Sequence, residues 1–283
     1  MPGQEVEAVA EVNVIYQKII LEFLFELYVF YALTTRKLNR APRFWIRTLA
    51  GAGAVLALAY GAAFFYRAVG GTALGRITVY VFLFAAATAH LRLCFDETFP
   101  TVLFCASVAY AAQNLCYKLY LILWCGGEAL RGYDGWGPRF DLYYHVLYYA
   151  FFALAVAAVY FLFIRGMLRH MSGGRLDHHM LAIAILALSI TVILCSVEDV
   201  YFSHLSVGRE NRFELWDHYV LRQAGNLFSV MSCTVVLLLT SRTVERRELR
   251  QELEYLQHAV RQSERQYEIS RDTIDLINVK CHD

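Results

Sequence analysis

"LAGAGAVLALAYGAAFFY", residues 49–66, carries no charged side chain over a length sufficient to cross the hydrocarbon of a bilayer. A second such block, "MLAIAILALSITVILCSV", occupies residues 180–197. The whole chain of 283 residues is 58% hydrophobic and 18% charged, whereas average soluble domains are about 25% charged. These runs predict an all-α, polytopic membrane protein. The net charge of +1 gives no nucleic-acid signature. Seven cysteines are scattered, most of them inside apolar runs (Cys105, Cys116, Cys195, Cys233), and no CxxC occurs. Neither a zinc site nor a disulfide framework is indicated.

Hydropathy places about seven spans, at 12–34, 44–66, 77–95, 101–125, 142–164, 180–203 and 218–241. Backbone groups in lipid must be satisfied internally, so each span is expected to be a helix. The first is interrupted by Lys18, Glu22 and Glu26. If it does not cross, six spans remain, with both ends on the inside. The acidic start "MPGQEVEAVAEVNV" lacks the positive n-region of a cleavable signal, so this first segment is expected to stay. Short basic loops mark the cytoplasmic side. They hold Arg36, Lys37, Arg40 and Arg43, then Arg165, Arg169 and Arg175, then Arg242, Arg246, Arg247 and Arg250. The expected localisation is the cell membrane, with the N-terminus outside and the C-terminus in the cytoplasm.

After Ser241 the composition changes. Residues 242–283 hold no Gly or Pro and are rich in Arg, Glu and Gln, a helix-forming composition. Leu249, Leu253, Leu256 and Val260 are spaced by four, three and four, and the alternation continues through Ser263, Tyr267, Ser270, Ile274, Ile277 and Cys281. This is a heptad seam with two weak serine positions. The chain therefore divides into a transmembrane sensor domain, 1–241, and a cytoplasmic signalling coiled coil, 242–283. The seam predicts a parallel homodimer.

Within the second span, Gly53, Ala57 and Gly61 recur every four residues and predict a close-packed helix interface. Ionisable residues inside spans are costly and face the bundle interior or a cavity. Lys18, Glu22, Lys118, Glu198, Asp199 and Arg222 all fall in outer halves of their spans. Glu26, Gln113, Asn114 and the aromatic "YYHVLYY" stretch (143–149) lie near them in depth. These groups are candidates for an extracellular ligand site, and their mixed signs favour a zwitterionic or peptide-like ligand. The competing reading is interior ion pairs, Lys18 with Glu22 and Lys118 with Glu198 or Asp199. His90, Arg92 and Asp96 read as interfacial polar residues. The adjacent His178 and His179 point to different helix faces, so no metal site is expected.

The sequence ends "QYEISRDTIDLINVKCHD". This run resembles the first dimerisation helix of sensor histidine kinases of the GHKL-ATPase type, closest to the branch of AgrC-like peptide-sensing kinases. The matching residues of the "INxKCHD" box are Ile277, Asn278, Lys280, Cys281, His282 and Asp283. The match covers about the last twenty residues; over the membrane part it is architectural only. The resemblance implies that a ring nitrogen of His282 attacks the γ-phosphate of ATP. It also implies that Asp283 orients the ring through its other N–H. Phosphate would then pass to an aspartate of a response regulator. No asparagine box, ATP lid or second dimerisation helix follows in this sequence. ATP and Mg²⁺ thus belong to the complete kinase that the resemblance implies, and no cofactor is expected in this stretch, which is expected to be a fragment of it. The alternative is a non-kinase transporter or ligand-binding membrane protein with a dimerising coiled coil. Against a transporter, Pro2, Pro42, Pro100 and Pro138 all lie outside span interiors.

Overall fold

The computed structural model describes residues 2–68, 73–131, 138–170, 182–193 and 212–282. The described residues are helical apart from short connections. Helices α1 (Pro2–Thr34), α2 (Phe44–Ala68), α3 (Ala73–Cys94) and α4 (Phe99–Arg131) are followed by α5 (Pro138–Val159). A single π turn, Tyr160–Ile164, joins α5 to α6 (Arg165–His170) with helical backbone on both sides. Helix α7 spans Ala182–Ile193 and α8 runs from Arg212 to His282 without a break. Five of these stretches are long and apolar enough to cross a membrane, and they point to a membrane protein.

Helix α4 is the centre. Of its apolar window 83% is buried, against 11% for α2. Its composition explains this. Ala106, Ala109, Ala111, Ala112, Cys105 and Cys116 are small and fully enclosed, so neighbouring backbones approach closely from several sides. Helix α8 packs along α4 and α6, and its Asn226, Ser229, Cys233, Val236, Leu237, Thr240 and Val244 recur at helical spacing on one buried face. The opposite side of α8 exposes Leu227, Phe228, Met231, Val235, Leu238 and Leu239, as a lipid-facing surface does.

Helices α1 and α3 run parallel. Phe23 packs edge-on to Tyr80, and Tyr31 meets Thr88 eight residues further along both. Helices α1 and α5 are parallel by the same test, Glu26 meeting Tyr148 and Phe30 meeting Phe152 four residues on. Between α2 and α3 the direction reverses: Arg47 Nη1 donates to the Leu93 carbonyl, and Gly51 lies against His90.

At one end of the bundle the α1–α2 and α3–α4 connections are zipped together. Ala41 N–H donates to the Cys94 carbonyl and Asp96 N–H to that of Asn39, while the Asn39 side chain donates to Glu97. Arg43 adopts a left-handed backbone, φ 59°, that turns the chain into α2. This basic end also carries Arg36, Lys37, Arg40, Arg165 and Arg169.

One expectation is corrected within the chain. Gly53, Ala57 and Gly61 are exposed, and a methyl on Gly53 or Gly61 would touch nothing within 4 Å. The close-packed glycine of α2 is Gly51, where an added Cβ would overlap the His90 ring. His90 itself is buried, and its Nδ1 meets the Tyr28 hydroxyl at 2.7 Å. Arg92 and Asp96 are exposed, and His178 and His179 lie outside the described residues.

Candidate functional site

Three helices bring polar groups together inside the bundle. Glu26 of α1 is buried, only 3% exposed. Gln113 of α4 donates to its carboxyl group through Nε2 at 2.7 Å, and the Tyr148 hydroxyl of α5 donates to the other oxygen. A carboxyl group away from water is tolerated only when its oxygens find donors, and both do. The aromatic rings of Tyr120, Phe152 and Tyr149 surround Tyr148 and fix its direction.

Further polar residues follow toward the C-terminal end of α4. Asn114 uses its Nδ2 on the Tyr110 carbonyl at 3.0 Å. One turn on, Lys118 is only 2% exposed, with its Nζ 5.9 Å from the Tyr117 ring centre. From α8, Gln223 Nε2 donates to the Ile122 carbonyl at 3.2 Å. Asn226, three residues along α8, is wholly buried, and neither atom of its amide has a hydrogen-bond partner among the described residues. The free carbonyl oxygen of Gln113 is likewise unpartnered there. Such groups are costly inside a low-dielectric core.

The ligand-site candidates divide. Lys118 is in the interior, Glu22 is half-buried, and Lys18 and Arg222 are exposed. Glu198 and Asp199 lie outside the described residues, so their pairing with Lys118 lies outside them as well. Glu26, Gln113 and Tyr148 form a site that was visible in the sequence only as separate polar residues. Asn226 was missed. Its signal was a single amide just before the apolar run "LFSVMSCTVVLLL".

At the far end, His282 is the last residue of α8, with its side chain outside the described ones; Asp283 lies beyond them. The heptad positions Leu249, Leu253, Leu256, Val260, Tyr267 and Ile274 are all exposed on the single chain, 57–75% with their neighbour Tyr255. Among the described residues no group of three or more His, Cys, Asp or Glu is arranged to hold a metal ion. No family model matches the chain, and neither a curated protein nor a solved structure does.

Proposed function

We propose that this chain is the membrane sensor and phosphoacceptor portion of a two-component histidine kinase of the GHKL type. The observation that supports it best is the continuity of α8. One helix is part of the bundle wall through Val244 and then reaches His282 without a break. A displacement of α8 against α4 therefore arrives at His282 without an intervening hinge. The "INVKCHD" ending supplies the acceptor box to which that displacement is delivered.

Seven spans fit this reading: α1 to α4, the α5–α6 rod, the segment containing α7, and the first half of α8. The N-terminus is outside and the basic end is cytoplasmic. A stripe of Leu249, Leu253, Leu256 and Val260 standing exposed in water is covered by a second copy in a parallel coiled coil. Ser263 and Ser270 leave the middle of that coil loosely packed and open to a change of register. The signal is an extracellular ligand, with a peptide the favoured class, acting near Lys118 and the Glu26 cluster.

In the phosphoryl step a neutral ring nitrogen of His282 attacks the γ-phosphorus of Mg²⁺–ATP. The bond to the β–γ bridging oxygen breaks and ADP leaves. Asp283 accepts the ring's other N–H and offsets the positive charge that develops. The phosphoryl group then moves to a response-regulator aspartate.

The test is labelling of the full chain with γ-labelled ATP and an added GHKL catalytic domain. Acid-labile, base-stable phosphate on the chain is expected, and His282→Gln is expected to remove it entirely. Label that persists in His282→Gln, or none where a complete kinase labels, overturns the reading.

A further inference from the structure

The basic end carries a cluster that the phosphoacceptor reading does not use. Helices α6 and α8 lie side by side there: a methyl on Gly166 would sit 3.8 Å from Ser241 Oγ. Arg165 and Arg169 are one turn apart on α6, and Arg242 and Arg246 are one turn apart on α8. All four are exposed. Lys37, from the α1–α2 connection, joins them by donating its Nζ to the Arg169 carbonyl at 3.5 Å. Arg242 is also paired with Glu245 at 3.0 Å.

What lies next to the cluster decides what it fits. On α5–α6 the residues just before Arg165 include Phe161 and Leu162, 62% and 72% exposed. On α8 the residues before Arg242 include Leu238 and Leu239, 46% and 60% exposed. The Arg165 guanidinium rests over the Phe161 ring, 5.6 Å from its centre. The arginines thus begin where two adjacent apolar rows end. A soluble phosphate would use the cations and leave those rows bare; a lipid uses both. Arginine presents a planar fork of donors to phosphate oxygens, and basic pockets between helices at this depth suit acidic headgroups.

We propose that the α6–α8 junction is a binding site for an acidic phospholipid. Its headgroup phosphate lies among Lys37, Arg165, Arg169, Arg242 and Arg246, and its acyl chains lie along Phe161, Leu162, Leu238 and Leu239. This goes beyond the kinase reading and does not depend on it, because it concerns the wall of the bundle and makes no use of His282.

The test is native mass spectrometry of the full chain extracted from mixed phosphatidylcholine–phosphatidylglycerol bilayers. Retention of phosphatidylglycerol over phosphatidylcholine by about tenfold is expected, the ratio that a headgroup attraction of about 1.4 kcal/mol gives. The triple variant Arg165→Gln/Arg169→Gln/Arg246→Gln is expected to lose the preference. The corresponding Arg→Lys triple is expected to keep most of it, which separates loss of charge from loss of fold. Arg261→Gln/Arg265→Gln/Arg271→Gln removes equal charge further along α8 and is expected to change nothing. The proposal is overturned by a preference that survives the site variant or is lost equally in the distal one. It is also overturned if inorganic phosphate displaces the lipid, since the ligand would then be the free anion.

Discussion

Gly51→Ala is expected to lower the thermal unfolding midpoint of the purified chain, while Gly53→Ala and Gly61→Ala leave it unchanged or raise it. All three lie inside α2, where replacing Gly by Ala gains about 1 kcal/mol of helix propensity. At Gly53 and Gly61 nothing opposes that gain, because an added methyl meets open space. At Gly51 the new Cβ overlaps the His90 ring. That ring has little freedom to move, being buried and held by the Tyr28 hydroxyl at 2.7 Å. Overpacking of this kind costs about 1–3 kcal/mol, and moving the ring also gives up its hydrogen bond. The α2–α3 contact is therefore expected to loosen. Tryptophan fluorescence during heating in a mild detergent reads the result. A Gly51→Ala protein as stable as Gly53→Ala would show that α3 does not approach α2 as described.

Glu26→Ala is expected to be at least as damaging, for an electrostatic reason. It strands the Gln113 Nε2–H and Tyr148 O–H donors in the buried interior. Each buried orphan costs about 1–3 kcal/mol. Glu26→Gln keeps a carbonyl acceptor for one donor and is expected to recover part of the loss. Tyr148→Phe removes one donor cleanly and is expected to cost less than Glu26→Ala. Glu22→Ala, one turn earlier and only half-buried, is the control. Folded fraction against rising denaturing detergent gives the order. If Glu26→Ala and Glu22→Ala behave alike, the three-helix cluster does not hold the bundle together.

These residues also show how far the sequence could be read. The apolar blocks at 49–66 and in α4 announce themselves, because so long a run without charge suits hydrocarbon better than water. Which face of a run packs is a different matter. Gly51 and Gly53 are two positions apart, so they point about 200° apart around the helix. The four-residue repeat selected the wrong side because periodicity defines a face without saying what stands opposite it. Lys18, Glu22 and Glu26 show a related effect. A spacing of four overshoots a turn, and over eight residues the drift reaches about 80°. Lys18 ends exposed while Glu26 ends in the core. The burial of His90 was not legible because its partner Tyr28 is 62 positions away. Asn226 had the same difficulty: its burial is made by packing between helices, which no local pattern encodes.

The length of α8 has a mechanical consequence. From the basic end to His282 it extends about 60 Å at 1.5 Å per residue. By geometry alone, a tilt of about 5° at the basic end would sweep the tip of such a rod through about 5 Å, roughly one helical turn. Under the proposed reading, a change at α4 no larger than a side-chain adjustment would be geared up by that lever arm.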